Sequence, residues 1–329
     1  SSRRRHTRCS RWSRGLGDVY KRQVLYCVVM SLRRELYDSG LLTSHQVGRP
    51  VIVVGNLSVG GTGKTPLVIW LANQLARNGI RPAVVSRGYG GRAASFPLLV
   101  DYQTPAAIAG DEPAMIARKL GCPVVIDPDR VAAANWLVER NLCDAIIADD
   151  GLQHLALDRD LELAVITSDR IAGNGFCLPA GPLRESPDRL KSVDIVISRA
   201  ANPTLTTHSM RLSLGACSRL DHPAMRLPLS AFWESPVHAV AGIGNPDGFF
   251  DSLRRSGLEI IPHPFPDHHD YTPADISFAD DLPVIMTEKD AVKCAEFARR
   301  NYWAATVSVE LDEGILESVM NTIAEINGG

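Results

Sequence analysis

The sequence predicts an α/β protein: a P-loop NTPase-like parallel sheet with helices on both faces, plus a smaller C-terminal α/β domain. Short runs of β-branched residues alternate with longer helical patterns, and parallel strands need such crossovers to bring the chain back. The strands are almost entirely apolar, which is typical of a sheet covered on both faces. A glycine-rich loop directly follows the first strand, as in nucleotide-binding sheets.

The composition is that of an ordinary soluble protein. The 329 residues carry 35 basic and 37 acidic side chains, and 45% are apolar. Residues 1–23 are strongly basic and the remainder is acidic, which argues against nucleic-acid binding because that needs a basic face. We interpret residues 1–23 as a non-native or disordered basic segment, since no signal-peptide cleavage site follows them.

Cysteine spacing and apolar run length exclude several classes of protein. The seven cysteines are scattered and include no Cys-x-x-Cys pair. We therefore expect reduced thiols in a cytoplasmic protein, and neither a zinc site nor a catalytic thiol. The longest apolar stretch near the N-terminus, residues 24–30, is too short to span a membrane, so no transmembrane segment is predicted.

The P-loop nucleotide-binding domain is predicted over residues 45–201. Gly79 is a suitable C-cap for its first helix, and Asp111 and Asp129 are N-cap residue types for the next two. Helices are expected at 64–78, 111–120 and 129–140. Strands are expected at 51–54, 83–86, 124–126, 145–148, 163–166 and 194–198.

Residues 202–236 are predicted to form a linker or hinge, because the periodicity weakens and prolines accumulate there. The alternation then resumes in a smaller α/β domain at 237–329, expected to close over the site. Its strands are expected at 238–241, 258–261, 284–286 and 305–309, and its helices at 246–256, at 291–300 and from residue 314.

Residues 55–65 read G-N-L-S-V-G-G-T-G-K-T and lie between a strand and a helix, in the order that a P-loop needs. Glycines let backbone N–H groups approach phosphate oxygens, and the helix N-terminus adds a positive dipole end. In this pattern Lys64 reaches the β- and γ-phosphates and Thr65 ligates Mg²⁺. Ser58 stands where the strict pattern has glycine. The predicted nucleotide-binding residues are Ser58, Val59, Gly60, Gly61, Thr62, Gly63, Lys64 and Thr65.

Asp149 and Asp150 follow an apolar strand, at the carboxyl end where open α/β sheets bind ligands. Adjacent carboxylates repel one another unless a cation is present, which favours a Mg²⁺ site. One aspartate then orients the metal and the other contacts nucleotide or substrate. The alternative is that both cap the turn at Gly151.

Further polar clusters are candidates for the substrate side. The loops at 86–92 and 179–185 follow predicted strands, although solvated turns have the same composition. Asp111 either caps its helix or takes the proton of a substrate hydroxyl. The segment F-P-D-H-H-D-Y at 265–271 is suited to proton transfer, because two histidines there lie between two aspartates.

Eight motifs, in order along the chain, resemble those of the tetraacyldisaccharide 4′-kinase family of lipid A biosynthesis. The resemblance extends from about residue 24 to the C-terminus. The motifs are G-N-L-S-V-G-G-T-G-K-T-P from residue 55, S-R-G-Y-G from 86, G-D-E-P from 110, D-D-G-L-Q-H from 149, G-P-L-R-E from 181, G-I-G-N-P from 242, F-P-D-H-H-D-Y from 265 and T-E-K-D from 287.

The resemblance implies an ATP-dependent, Mg²⁺-dependent kinase that phosphorylates the 4′-hydroxyl of a tetraacylated glucosamine disaccharide 1-phosphate and gives lipid IVA. Asp111 and His268 are expected to form a catalytic pair, with His268 preferred to His269. Lys64 and Arg184 are expected to neutralise charge on the transferred phosphoryl group. The expected metal ligands are Thr65, Asp149 and Glu185, and the expected substrate residues are Arg87, Tyr89, Asp150, Gln153 and His154.

The resemblance also implies peripheral attachment to the cytoplasmic face of the bacterial inner membrane, where the glycolipid substrate lies. Residues 24–44 are expected to form an amphipathic membrane-associating helix, in which Arg33 and Arg34 meet anionic headgroups. A core helix is the alternative. Family members carry a longer apolar segment here, and residues 1–23 match nothing in the family. We expect neither a nucleic-acid partner nor an obligate protein partner.

Two other functions fit part of the sequence. A P-loop switch or metallochaperone ATPase has a similar loop, but that loop often carries an extra lysine where this chain has Val59. A kinase of a small soluble sugar has no use for an amphipathic N-terminal helix. ATP turnover that depends on a lipid acceptor distinguishes a lipid kinase from a switch ATPase.

Overall fold

The computed structural model describes residues 6–167, 174–200, 206 and 208–328, with side chains described from residue 22 onward except at 313, 327 and 328. The helices are α1 (His6–Asp38), α2 (Lys64–Arg77), α3 (Ala106–Ala109), α4 (Asp111–Lys119), α5 (Arg130–Glu139), α6 (Pro246–Arg255), α7 (Glu288–Cys294) and α8 (Glu313–Gly328). The strands are β1 (Val51–Gly55), β2 (Pro82–Ser86), β3 (Leu98–Val100), β4 (Val124–Ile126), β5 (Ala145–Asp149), β6 (Leu161–Ile166), β7 (Ile195–Ser198), β8 (His208–Arg219), β9 (Arg226–Leu227), β10 (Val237–Ala241), β11 (Ile260–Pro264), β12 (Val284–Thr287) and β13 (Tyr302–Leu311).

The first half of the chain forms a mostly parallel sheet in the order β7-β6-β1-β5-β2-β4-β3, with only β3 antiparallel to its neighbour. Every residue of β1, β2, β4, β5 and β6 is buried. A hydrophobic cluster lies on each face of the sheet, because consecutive strand residues such as Ile52 and Val53 point to opposite faces and belong to different clusters. The predicted α/β fold with a mostly parallel sheet is confirmed.

Strand β8 lies inside the stretch 202–236, where the sequence predicts a linker. Its first residues, His208 and Ser209, pair in parallel with β7, and the rest pairs antiparallel with β13. The second half adds β11, β10, β12 and β13 in parallel, so one sheet runs through the whole protein. The division into two domains with a hinge stays a prediction.

Helix α8 returns from the second half to pack on the first. Its buried residues Ile315, Val319 and Ile323 belong to the same hydrophobic cluster as Leu67 and Leu71 of α2. Because α2 begins directly after the phosphate loop, the C-terminal helix supports the element that carries that loop.

Helix α1 begins inside the basic segment 1–23 and ends six residues before the expected end of the 24–44 helix. The expected disorder of residues 1–5 lies outside the described residues. Tyr26 and Cys27 pack against the first half of the sheet, whereas five apolar side chains remain exposed: Val24, Leu25, Val28, Val29 and Leu32. No described helix is both long and apolar enough to cross a membrane.

Candidate active site

The phosphate loop connects β1 to α2 at the carboxyl edge of the parallel strands. Gly63 precedes α2 with φ 94°, and a Cβ there would lie 3.1 Å from side-chain atoms of Met210 and Leu212, so the position favours glycine. Lys64 is buried, and its Nζ donates to Asn56 Oδ1 at 2.8 Å. Asn56 holds the lysine at the head of the helix, a role that the sequence pattern did not reveal.

The other loop residues expected to bind nucleotide surround the same helix start. Ser58 forms an isolated bridge with Leu183, and the Val59 N–H donates to the Pro182 carbonyl at 2.8 Å. Thr62 is buried, as is Thr65 in the first turn of α2. Between these contacts lie Gly60 and Gly61, where an added Cβ would meet open space.

Asp149 is the last residue of β5 and is fully buried. Its Oδ2 accepts the Ser86 hydroxyl at 3.5 Å, and its Oδ1 has no hydrogen-bond partner among the described residues. Burial, followed by the negative charges of Glu112 and Asp150, raises the pKa of Asp149 to about 7. A buried carboxylate that accepts so few hydrogen bonds is suited to binding a cation.

Asp150 joins the phosphate loop to the predicted basic residue of the G-P-L-R-E motif. Arg184 Nη1 donates to both Asp150 carboxylate oxygens, at 2.8 and 2.7 Å, and Lys64 Nζ lies 3.4 Å from Oδ1. Burial alone would raise the pKa of Asp150, but the Lys64 and Arg184 cations outweigh it and lower the pKa below its ordinary value. Asp150 is therefore a carboxylate held between two cations.

Gln153 and Glu185 complete this side of the site. Gln153 Nε2 donates to Glu185 Oε1 at 2.7 Å, and Glu185 lies 3.7 Å from Arg189 Nε. Helix α1 is tied to the same group, because Arg33 donates to the Gln153 carbonyl at 2.9 Å. Among the described residues no group of three or more His, Cys, Asp or Glu side chains is arranged to hold a metal ion.

Asp111 meets His268 although 157 residues separate them in the chain. Asp111 opens α4 after Gly110, where an added Cβ would lie 2.4 Å from the Tyr89 carbonyl oxygen. His268 Nδ1 lies 3.0 Å from Asp111 Oδ2, whereas His269 contacts Asp275 instead. The Tyr89 ring packs edge-on against His268, with centroids 5.7 Å apart.

The Asp111–His268 pair lines a cavity of about 710 Å³. Tyr271, from the predicted 265–271 segment, also lines it. Arg118 and Lys293 line it as well, and neither was expected from the sequence, because each lies in a predicted helix that periodicity explains without function. The cavity is large enough for part of a sugar substrate, and it places an acid and an imidazole at its wall.

His154 lies on the other side of the sheet edge, against the start of α5. Its Nε2 accepts the backbone N–H of Arg130 at 3.3 Å. Burial and the charge of Arg130 lower the pKa of His154 to about 4, so this imidazole is neutral at pH 7. Arg130 itself is buried, and its Nε has no hydrogen-bond partner among the described residues. The sequence did not indicate Arg130 as a site residue, because the preceding Asp129, as N-cap, already explains the start of α5. Arg87, expected to contact substrate, is exposed.

Comparison with known proteins identifies the family. The model of the tetraacyldisaccharide-1-P 4′-kinase family (LpxK) matches residues 21–325. The chain belongs to this family. It is 48% identical over 309 residues to the tetraacyldisaccharide 4′-kinase of Alkalilimnicola ehrlichii, which covers 92% of this chain and 91% of the relative. It is 45% identical over 301 residues to that of Nitrosococcus oceani, at 92% and 88% coverage.

A solved structure of the same family has the same fold. The Aquifex aeolicus LpxK structure, described as an "apo" form in complex with ATP, superposes with a TM-score of 0.81 at 29% identity. The superposition covers 94% of this chain and 98% of the other. The prediction of a kinase with a P-loop-type α/β fold is confirmed.

Proposed function

We propose that this protein transfers the γ-phosphoryl group of ATP to the 4′-hydroxyl of a tetraacyl glucosamine disaccharide 1-phosphate, giving lipid IVA. The contact between Asp111 and His268 at the wall of the cavity carries the proposal. A switch ATPase needs no group to take a proton from an alcohol, whereas a kinase with an alcohol acceptor does.

The phosphate loop and its basic neighbours bind the nucleotide in this proposal. Backbone N–H groups of the loop and the N-terminus of α2 face the phosphates, and Lys64 contacts the β- and γ-phosphates. Arg184 neutralises charge that develops on the transferred group, since its guanidinium already lies against a carboxylate beside Lys64. Val59 stands where dimer-activated switch ATPases often carry a lysine, which supports transfer to a substrate rather than a switch.

The residues proposed to hold Mg²⁺ are Thr65, Asp149 and Glu185. The unpartnered, buried Oδ1 of Asp149 supports this assignment, because a hydroxyl and two carboxylates are ligands that Mg²⁺ prefers. When bound, the ion offsets the negative charge of the β- and γ-phosphates.

Asp111 is proposed as the base that accepts the proton of the 4′-hydroxyl. Among the described residues, His268 hydrogen-bonds to Asp111 Oδ2, and no hydrogen bond is made to Asp111 Oδ1. The Asp111 side chain is 13% exposed, which restricts solvent without closing the carboxylate off. The proposed substrate contacts are Tyr89 on the cavity wall, with Arg87, Asp150, Gln153 and His154 along the sheet edge.

We place the protein at the cytoplasmic face of the inner membrane, attached through the exposed face of α1. The five exposed apolar residues of that face are 52–65% exposed, and they repeat at spacings of one, three and four residues, as on one side of a helix. Burying such a stripe at the headgroup boundary is how interfacial helices bind membranes. Arg33 ties this helix to the Gln153 segment, which brings the lipid surface near the site.

The deciding experiment is transfer of labelled γ-phosphate from ATP to tetraacyl disaccharide 1-phosphate in detergent micelles. The wild type should give Mg²⁺-dependent product, and Asp111→Ala should reduce kcat by about 10²–10⁴-fold. Asp281→Ala, which changes an exposed aspartate, is the matched control and should behave as wild type.

One outcome contradicts the proposed function, and a second contradicts the proposed role of Asp111. ATP hydrolysis that proceeds equally without lipid acceptor, with no labelled lipid formed, would favour the switch-ATPase alternative. Full transfer by a stably folded Asp111→Ala variant would leave the kinase assignment intact and reduce Asp111 to an acidic residue of the first turn of α4.

A further inference from the structure

We propose that helix α7 supplies two positioning residues to the Asp111–His268 pair, Lys289 for the imidazole and Lys293 for the carboxylate. The inference rests on the proposed function, because it assigns how that pair is prepared for catalysis. Lys289 and Lys293 are one helical turn apart, so both extend from the same face of α7 toward the cavity.

Lys289 determines which nitrogen of His268 carries the proton. Its Nζ lies 3.3 Å from His268 Nε2 and 3.2 Å from Asp267 Oδ1. An ammonium has three donors and no acceptor, so the contact with Nε2 is a hydrogen bond only when Nε2 is unprotonated. The proton of the neutral imidazole then lies on Nδ1, which donates to Asp111 Oδ2 at 3.0 Å.

One chain of donors follows: the Lys289 ammonium donates to His268 Nε2, and His268 Nδ1–H donates to Asp111. These contacts select the tautomer of His268 that donates from Nδ1 to Asp111, and the carboxylate remains the group that accepts the substrate proton.

Lys293 acts on the carboxylate from the same helix. It is 7% exposed, and its Nζ makes ion pairs at 3.7 Å with Asp111 Oδ2 and at 3.3 Å with Asp290 Oδ1 rather than hydrogen bonds. The ion pair holds Oδ2 of Asp111 in place beside His268 and leaves Oδ1 toward the cavity free to accept the substrate proton. The Tyr271 ring lies 5.1 Å from the ammonium and adds a cation–π contact.

The other charged groups that face the pair do not reverse this arrangement. Asp267 accepts from Lys289 and lies 3.9 Å from His268 Nε2, and Glu112 lies 4.0 Å from Lys289. Asp290, fully buried, is held by Thr287 and the Gly242 N–H as well as by Lys293. Each acid is thus engaged by a lysine of α7, and both lysines also contact the catalytic pair.

The test compares Lys289→Met with Lys289→Arg in the γ-phosphate transfer assay. Loss of one hydrogen bond to a charged group should reduce kcat on the order of 10- to 100-fold in Lys289→Met, with the KM for ATP unchanged. Lys289→Arg keeps a cationic donor and should retain most of the activity, and Lys191→Met, at an exposed lysine, is the control.

A second readout does not depend on activity. Nitrogen NMR of ¹⁵N-histidine-labelled protein, with His268→Gln used for assignment, should show His268 protonated on Nδ1 in the wild type and a mixture of forms in Lys289→Met. Lys293→Gln, checked by thermal unfolding to be folded, should also reduce kcat while the KM for ATP stays unchanged.

The outcomes separate the two proposals. If the wild type phosphorylates no lipid, the proposed function fails, and the NMR measurement still decides the tautomer. If Lys289→Met keeps the wild-type kcat, or if His268 carries its proton on Nε2, the positioning role is wrong.

Discussion

Acidification should destabilise the protein through His154, and His154→Gln should remove that part of the loss. The side chain is 24% exposed, and Nε2 accepts the Arg130 backbone N–H. Burial and the Arg130 charge lower the pKa of His154 from 6.5 to about 4. The folded protein therefore resists a proton that the unfolded chain binds readily.

The magnitude follows from the difference between the two pKa values of His154. Because the folded pKa is the lower one, the stabilisation is fully present above pH 6.5 and is lost as the pH falls toward 4. A tenfold change in proton affinity corresponds to about 1.4 kcal/mol, so the full loss is on the order of 3 kcal/mol. By pH 5 about 2 kcal/mol should be gone.

Urea unfolding at pH 7.5 and pH 5 measures this loss. Between pH 7.5 and pH 5 the free energy of unfolding of the wild type should fall by about 2 kcal/mol more than that of His154→Gln. His222→Gln, which changes an exposed histidine, is the control and should follow the wild type. Equal losses for His154→Gln and the wild type would refute the account of a buried, neutral His154.

Three further predictions concern the nucleotide, the metal and the membrane. Lys64→Ala should abolish phosphoryl transfer while circular dichroism remains that of the folded wild type, and an unchanged rate would remove the P-loop assignment. Asp149→Asn should raise the Tm at pH 8, because burial raises the pKa of this carboxyl to about 7 and its ionised form destabilises the fold. In the same variant, phosphoryl transfer should depend less on Mg²⁺. Replacing Val28 and Leu32 together by Ser should reduce binding to anionic vesicles by at least about tenfold, with the KM for ATP unchanged. If vesicle binding and ATP binding weaken equally, α1 is a structural helix instead.

The parallel strands were predictable because each is an apolar run buried on both faces. β1 and β5 were expected to within one residue at each end. Strand β8 was not expected, because its residues are mostly half-buried and include Ser213 and Gly215, and prolines flank it in sequence. Its position depends on pairing with β13, about 90 residues later, which no local pattern records.

Within the candidate site, the motifs located the residues, and the family resemblance gave the Asp111–His268 pair but not the contacts that surround it. Lys64 and Asp150 could be placed at one sheet edge because each follows the carboxyl end of a predicted parallel strand. Lys289 belonged to a motif of the family resemblance, yet its contact with His268 depends on how α7 begins. The sequence placed that helix at 291–300, whereas it spans Glu288–Cys294 with Thr287 as its N-cap. The earlier start brings Lys289 and Lys293 onto the same face.

The return of α8 to the first half has a consequence for the order in which the protein becomes competent during synthesis. Ile315, Val319 and Ile323 fill a core whose other members are mostly translated more than a hundred residues earlier. Until these residues have left the ribosome, the face of α2 that they cover is exposed to water, and the phosphate loop precedes a helix that is not fully packed. Premature termination upstream of residue 313 should therefore yield a chain whose N-terminal half is destabilised, although the missing residues are far away in sequence.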